Sequence, residues 1–159
     1  MSNRLPLDTF ETVVSSTPLV SIDLLVRNAR GEVLLGERLN RPAQGYWFVP
    51  GGRIVKDESM ARAFARLTKE ELGISVPLAQ AEFLGPFEHF YRDSFFGAES
   101  EKAVSTHYVV LGYTLTLDLE ISELPDQQHG RYRWWGEEQL LSDPAVHKHS
   151  KWYLDASAQ

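Results

Sequence analysis

Residues 19–26 run almost wholly apolar, with one carboxylate, Asp23, set among them. Such a run, closed by Asn28, Ala29, Arg30 and Gly31, predicts a strand and a turn, and residues 32–38 predict the returning strand of a hairpin. Residues 40–46 hold Pro42 and Gly45 and predict a loop. Trp47, Phe48 and Val49 form a short apolar run that Pro50, Gly51 and Gly52 stop. Residues 59–72 lack Gly and Pro and end on Gly73, the pattern of a helix with its C-terminal glycine. Residues 82–91 and 106–117 predict two further strands, joined by the polar residues 92–105. A polar loop over 124–131, a short strand over 132–135, a helical turn over 137–141 and a last helix after Pro144 complete the pattern. Residues 1–16 are mixed and predict an arm. This order of strands and helices predicts one α/β (α+β) domain over residues 1–159.

The helix at 59–72 carries a carboxylate on its apolar side. At about 100° per residue, Met60, Ala63, Phe64 and Leu67 share one stripe, Glu71 falls inside it, and Glu70 lies at its edge. An ionised carboxylate against a core requires cationic compensation. An ion pair with Arg53, Arg62 or Arg66 is one solution. A hard divalent cation is the other, since Mg²⁺ prefers oxygen ligands and often takes only one or two carboxylates.

Context favours the cation. A glycine pair after a strand lets backbone groups approach a ligand closely. Gly52, Glu58, Arg66, Glu70, Glu71, Gly73 and Ile74 follow with gaps of five and seven residues between the first three. This spacing resembles the Nudix box, a loop–helix–loop that in its family binds Mg²⁺ and positions a diphosphate. The resemblance implies a Nudix-like α/β/α sandwich with a mixed central sheet. One position departs from the pattern: Leu67 stands where the family usually has a carboxylate that ligates metal or serves the base.

That departure is shared by one branch, the GDP-mannose mannosyl hydrolases. Residues 40–53, 16–21, 106–112 and 125–129 are similar to it, and the likeness runs from about Phe10 to the final helix. It implies hydrolysis of GDP-mannose, and of GDP-glucose, at the sugar C1–O bond, giving GDP and free hexose with inversion. By the same resemblance the metal ligands are the Gly51 carbonyl, Glu71 and Gln128, holding Mg²⁺ with Mn²⁺ as a substitute, and His129 is the general base. Arg38 and Arg53 grip phosphate oxygens, Tyr108 donates to the leaving group, and Asp23 lies near the sugar carbon. Phe10 holds the nucleotide, with an arm from a second subunit of a homodimer. Each residue also has a plainer reading: a surface ion pair for the arginines, a solvated loop residue for His129, core packing for Tyr108 and a structural carboxylate for Asp23. His147 and His149, two apart, are expected on different helix sides and so not to form a metal site.

Composition narrows the field further. With a formal charge of −6, the chain is a poor partner for nucleic acid, whose backbone calls for a basic stripe. No run is long enough to span a membrane, so a cytoplasmic protein is expected, its partner a small-molecule nucleotide sugar. The absence of cysteine excludes disulfides and thiolate chemistry. Three functions stay open: hydrolysis at the sugar carbon, pyrophosphohydrolysis at phosphorus of a nucleotide sugar or nucleoside triphosphate, and a non-catalytic nucleotide-binding module.

Overall fold

The computed structural model describes residues 4–96, 104–125 and 129–155. A mixed sheet forms its centre. Strand β1 (Leu19–Arg27) runs through the middle, parallel to β6 (Thr106–Thr116), which pairs antiparallel with β5 (Glu82–Tyr91). The other edge of β1 is divided. Its first half pairs with β4 (Gly51–Arg53), and at Arg27 it meets β2 (Val33–Arg38). Strand β2 continues the sheet to β3 (Trp47–Phe48) and also pairs with β7 (His129–Trp135). The fork between β4 and β2 opens the sheet beside Asp23 and the end of β2.

The expected hairpin between residues 19 and 38 forms, with Asn28 Oδ1 accepting from the Arg30 and Glu32 amides at 3.0 Å. Apart from the turn, however, β1 is dressed by β4 and β6, so the hairpin contributes one register pair only. Having strands on both edges explains the nearly continuous apolar run, because β1 is buried on both faces.

Helices cover both faces. On one, Ile22, Leu24 and Val26 meet Ala63, Phe64 and Leu67 of α2 (Met60–Leu72). On the other, Leu25, Val33 and Leu35 meet Trp47, Trp135, Leu140 and Val146, beside α3 (Glu137–Ser142) and α4 (Lys148–Lys151). The layers are those of an α/β/α sandwich. Ser59 Oγ caps α2 by accepting from the Arg62 amide, and Gly73, at φ 82°, ends it by donating to the Lys69 carbonyl. Along the expected stripe the core begins at Ala63; Met60, in the first turn, is 50% exposed.

Within the expected arm, residues 7–16 form a helix, α1 (Leu7–Ser16). Val14 is its buried residue, and α1 packs on β6 of its own chain. The terminal helix α4 is a single turn. No helix among the described residues is long and apolar enough to cross a membrane.

Candidate active site at the fork in the sheet

Asp23 stands on the face of β1 turned toward α4. Its sheet neighbours on the two sides are Gly51 and Gly112. A β-carbon on Gly51 would fall 2.5 Å from Asp23 Oδ1, and one on Gly112 would fall 3.0 Å from the Tyr153 ring. The two glycines therefore leave a slot for one carboxylate and one phenol. Tyr153 fills it: its hydroxyl donates to Asp23 Oδ2 at 2.5 Å and lies 3.4 Å from His89 Nε2. Burial pushes the Asp23 carboxyl up to about 7, against the pull of the Tyr153 hydrogen bond and the Arg38 charge.

Glu71 projects from α2 into the same electrostatic neighbourhood. It is 2% exposed, and burial pushes its carboxyl up to about 8. Arg38 opposes that rise, whereas Glu70 and Asp23 add to it. Arg38, at the end of β2, is thus the cation that serves both buried acids, and its Nε donates to the Pro42 carbonyl at 2.9 Å. Burial raises the Tyr108 hydroxyl, with Arg53 and Arg38 holding it down. Arg38 thus acts on Asp23, Glu71 and Tyr108, and Arg53 acts on Tyr108, which links groups from β1, β2, β4, α2 and β6.

The remaining box residues brace the loop. Glu58 accepts from Arg66 Nε at 2.7 Å and from Nη2 at 2.9 Å, and Arg66 Nη2 also donates to the Arg53 carbonyl at 2.8 Å. Arg66 further pairs with Glu70 at 3.1 Å. Arg66 is therefore engaged by Glu58 and Glu70. Arg53 has its guanidinium carbon 4.0 Å from the centre of the Phe10 ring, so α1 brings its aromatic residue to the site within the same chain. Leu67 is buried in the core, where its Cδ2 lies 2.5 Å from the place a Gly52 β-carbon would take.

The donors present suit a hard divalent cation. A buried carboxylate, the backbone carbonyls of a glycine pair and a nearby acid are oxygen groups of the kind Mg²⁺ takes. Among the described residues, no three His, Cys or acidic groups are placed to hold a metal. Of the expected metal ligands, Gly51 and Glu71 lie among the described residues. Gln128 lies outside the described residues. The backbone of His129 stands opposite Arg38 in the β7–β2 ladder, while its side chain is outside the described set.

Sequence reasoning missed the aromatic and imidazole wall behind Asp23. His89 and His149 stack at 4.2 Å, and His147 lies 4.6 Å from His149. His147 precedes α4 as its N-cap, its Nδ1 accepting from the His149 amide. The two rings therefore meet instead of pointing apart as a continued helix would place them. Burial holds His89 down to about 3, His147 to about 4 and His149 to about 2, so all three are neutral at ordinary pH. Beside this wall lies a cavity of about 820 Å³ lined in part by Arg41, Tyr46, Tyr91, Arg92, His147 and Lys148.

Comparison with known proteins places this geometry. Residues 17–156 match the NUDIX domain model. The chain is 40% identical over 157 residues to the low-salt glycan biosynthesis protein Agl8 of Haloferax volcanii, covering 98% of this chain and 92% of that one. Among solved structures, the MutT NUDIX hydrolase of Burkholderia pseudomallei superposes with a TM-score of 0.66 at 23% identity, over 88% of this chain and 98% of that one. The NUDIX domain of Shewanella oneidensis NrtR, complexed with ADP ribose, superposes with a TM-score of 0.63 at 20% identity, over 99% and 97%.

Proposed function

Since the chain belongs to the NUDIX family, we propose that it hydrolyses a nucleoside diphosphate hexose, GDP-mannose or GDP-glucose, at the sugar C1–O bond. The observation that carries this reading is Leu67. Packed against Gly52, it puts hydrocarbon where the family usually has a carboxylate. A site with fewer carboxylates is poorly furnished for activating water against phosphorus and better suited to releasing an anionic diphosphate. The relative named for glycan biosynthesis fits a nucleotide-sugar substrate.

In this reaction a water oxygen bonds to C1 from the face opposite the diphosphate. The C1–O bond breaks, its electron pair leaves with GDP, and the proton lost by the water passes to His129. GDP is stable as an anion, so its departure calls for cations rather than a general acid. Arg38 and Arg53 supply them, with the planar fork that phosphate oxygens fit. Tyr108 donates to the departing diphosphate, and Asp23 faces the sugar carbon as positive charge develops there. Phe10, stacked on Arg53, holds the nucleotide. The Gly51 carbonyl, Glu71 and Gln128 would hold Mg²⁺ or Mn²⁺, which when bound neutralises charge on the leaving diphosphate. The cavity beside Arg41 and Tyr91 offers polar and aromatic groups for the hexose. A homodimer in the cytoplasm belongs to the same reading.

³¹P NMR of GDP-mannose incubated with the protein and Mg²⁺ tests it. GDP as the sole phosphorus product is the expected result. GMP with mannose 1-phosphate would instead establish attack on phosphorus, for which the retained Glu58, Arg66, Glu70 and Glu71 are the supporting observation.

A further inference from the structure

We propose that Tyr153 is a positioning residue for Asp23, holding the carboxylate in the one orientation that the reaction uses. The inference rests on the reading that Asp23 faces the sugar carbon. Its own support is geometric. Asp23 would otherwise rotate about its side-chain bonds in a slot that two glycines leave wide. Tyr153 closes the slot, donating to Oδ2 at 2.5 Å while Oδ1 lies over Gly51. With one oxygen held by the phenol, the carboxylate has one oxygen left to present.

The phenol is itself fixed. Its ring meets Phe87 edge-on at 4.6 Å, and Gly112 lies beneath it, where even a methyl group would stand 3.0 Å from the ring. His89 Nε2 lies 3.4 Å from the hydroxyl, and His89 stacks on His149, so the wall behind the phenol is built of packed rings. A half-buried tyrosine with a plain packing role needs no carboxylate. This one reaches across 130 positions of sequence to the single acid in β1.

Tyr153→Phe removes the hydroxyl and keeps the ring. We expect kcat with GDP-mannose to fall about 10- to 100-fold, the scale of a misplaced reacting group, with KM changed less than about twofold. The melting temperature should move by no more than about 4 °C, the worth of one hydrogen bond in a chain of this size. Asp23→Asn and the Asp23→Asn/Tyr153→Phe pair should turn over at the same rate, because the phenol acts only through the carboxylate. Gly112→Ala, which displaces the ring and leaves the hydroxyl, should reproduce the KM-sparing loss and supplies the test if Tyr153→Phe fails to fold. A low-field proton resonance lost in both Tyr153→Phe and Asp23→Asn would report the bond without reference to turnover. Wild-type kcat in Tyr153→Phe, independent losses in the pair, or no such resonance overturns the inference. GMP from the wild-type protein would withdraw the C1–O reading on which the role of Asp23 rests, and would overturn the inference by a readout separate from that of the variants.

Discussion

Leu67 packs directly on Gly52: a β-carbon there would stand 2.5 Å from Leu67 Cδ2, so the leucine would have to shift to admit any side chain. Leu67 also packs with Ala63, Phe64 and Ile22. Its side chain thus joins the loop at Gly52 to the core. Leu67→Ala is expected to lower stability by about 2–5 kcal/mol in urea titrations, the range for a buried leucine. Leu67→Glu, which rebuilds the usual box, should be less stable still and should yield no GMP from GDP-mannose. GMP from that variant would mean the loop can carry phosphorus chemistry once the acid is restored.

Glu71→Gln should reduce turnover by orders of magnitude, about 100-fold or more, because the proposed cation site depends on this buried carboxylate. Titration with Mn²⁺ followed by electron paramagnetic resonance should show weakened binding in parallel. Near-normal rate at saturating Mg²⁺ would remove Glu71 from the site.

His129→Gln is expected to abolish the rising limb of the rate against pH near neutrality. A histidine base gains activity as it deprotonates around its ordinary pKa of about 6.5. Profiles of kcat/KM from acid to mildly alkaline pH decide the matter, and an unchanged profile assigns the base elsewhere.

The histidine wall makes stability acid-sensitive. His89, His147 and His149 are held below their unfolded value of 6.5, so the unfolded chain binds more protons under that pH. Their contribution is present above about pH 6.5 and is lost as pH falls toward about 4 and then lower. Each contributes a slope of up to about 1.4 kcal/mol per pH unit. Lys148, Lys151 and Arg38 lie near enough to His147 to oppose its protonation as well. His149→Phe should flatten the dependence in urea titrations at pH 4–7; the same slope as wild type would refute the account.

The sequence revealed the sheet and the box because both follow local rules. The β1 run, the helix at 59–72 with its Gly73 stop and the strands at 82–91 and 106–117 can each be read from a few consecutive residues. Asp23 and Glu71 stood out by the same logic, as charges on apolar faces. The partners of Asp23 could not be read that way. Tyr153 lies 130 positions away, and the glycine slot exists only once β4 and β6 flank β1. His147 and His149 were judged by helical spacing, which fails where the first of them is a cap. The polar and apolar positions of residues 7–16 are mixed, so the sequence does not announce the helix there, and its packing on β6 is a long-range contact.

The β3 edge has its own consequence for how the protein is made. The Trp47 amide donates to the Ala145 carbonyl, His147 donates back to Trp47, and the Val49 amide bonds Ser150 Oγ. A nascent chain emerging from the ribosome therefore presents the box long before the segment that secures the strand leading into it. Until residues 145–150 join it, the strand leading into Gly51 lacks these three hydrogen bonds.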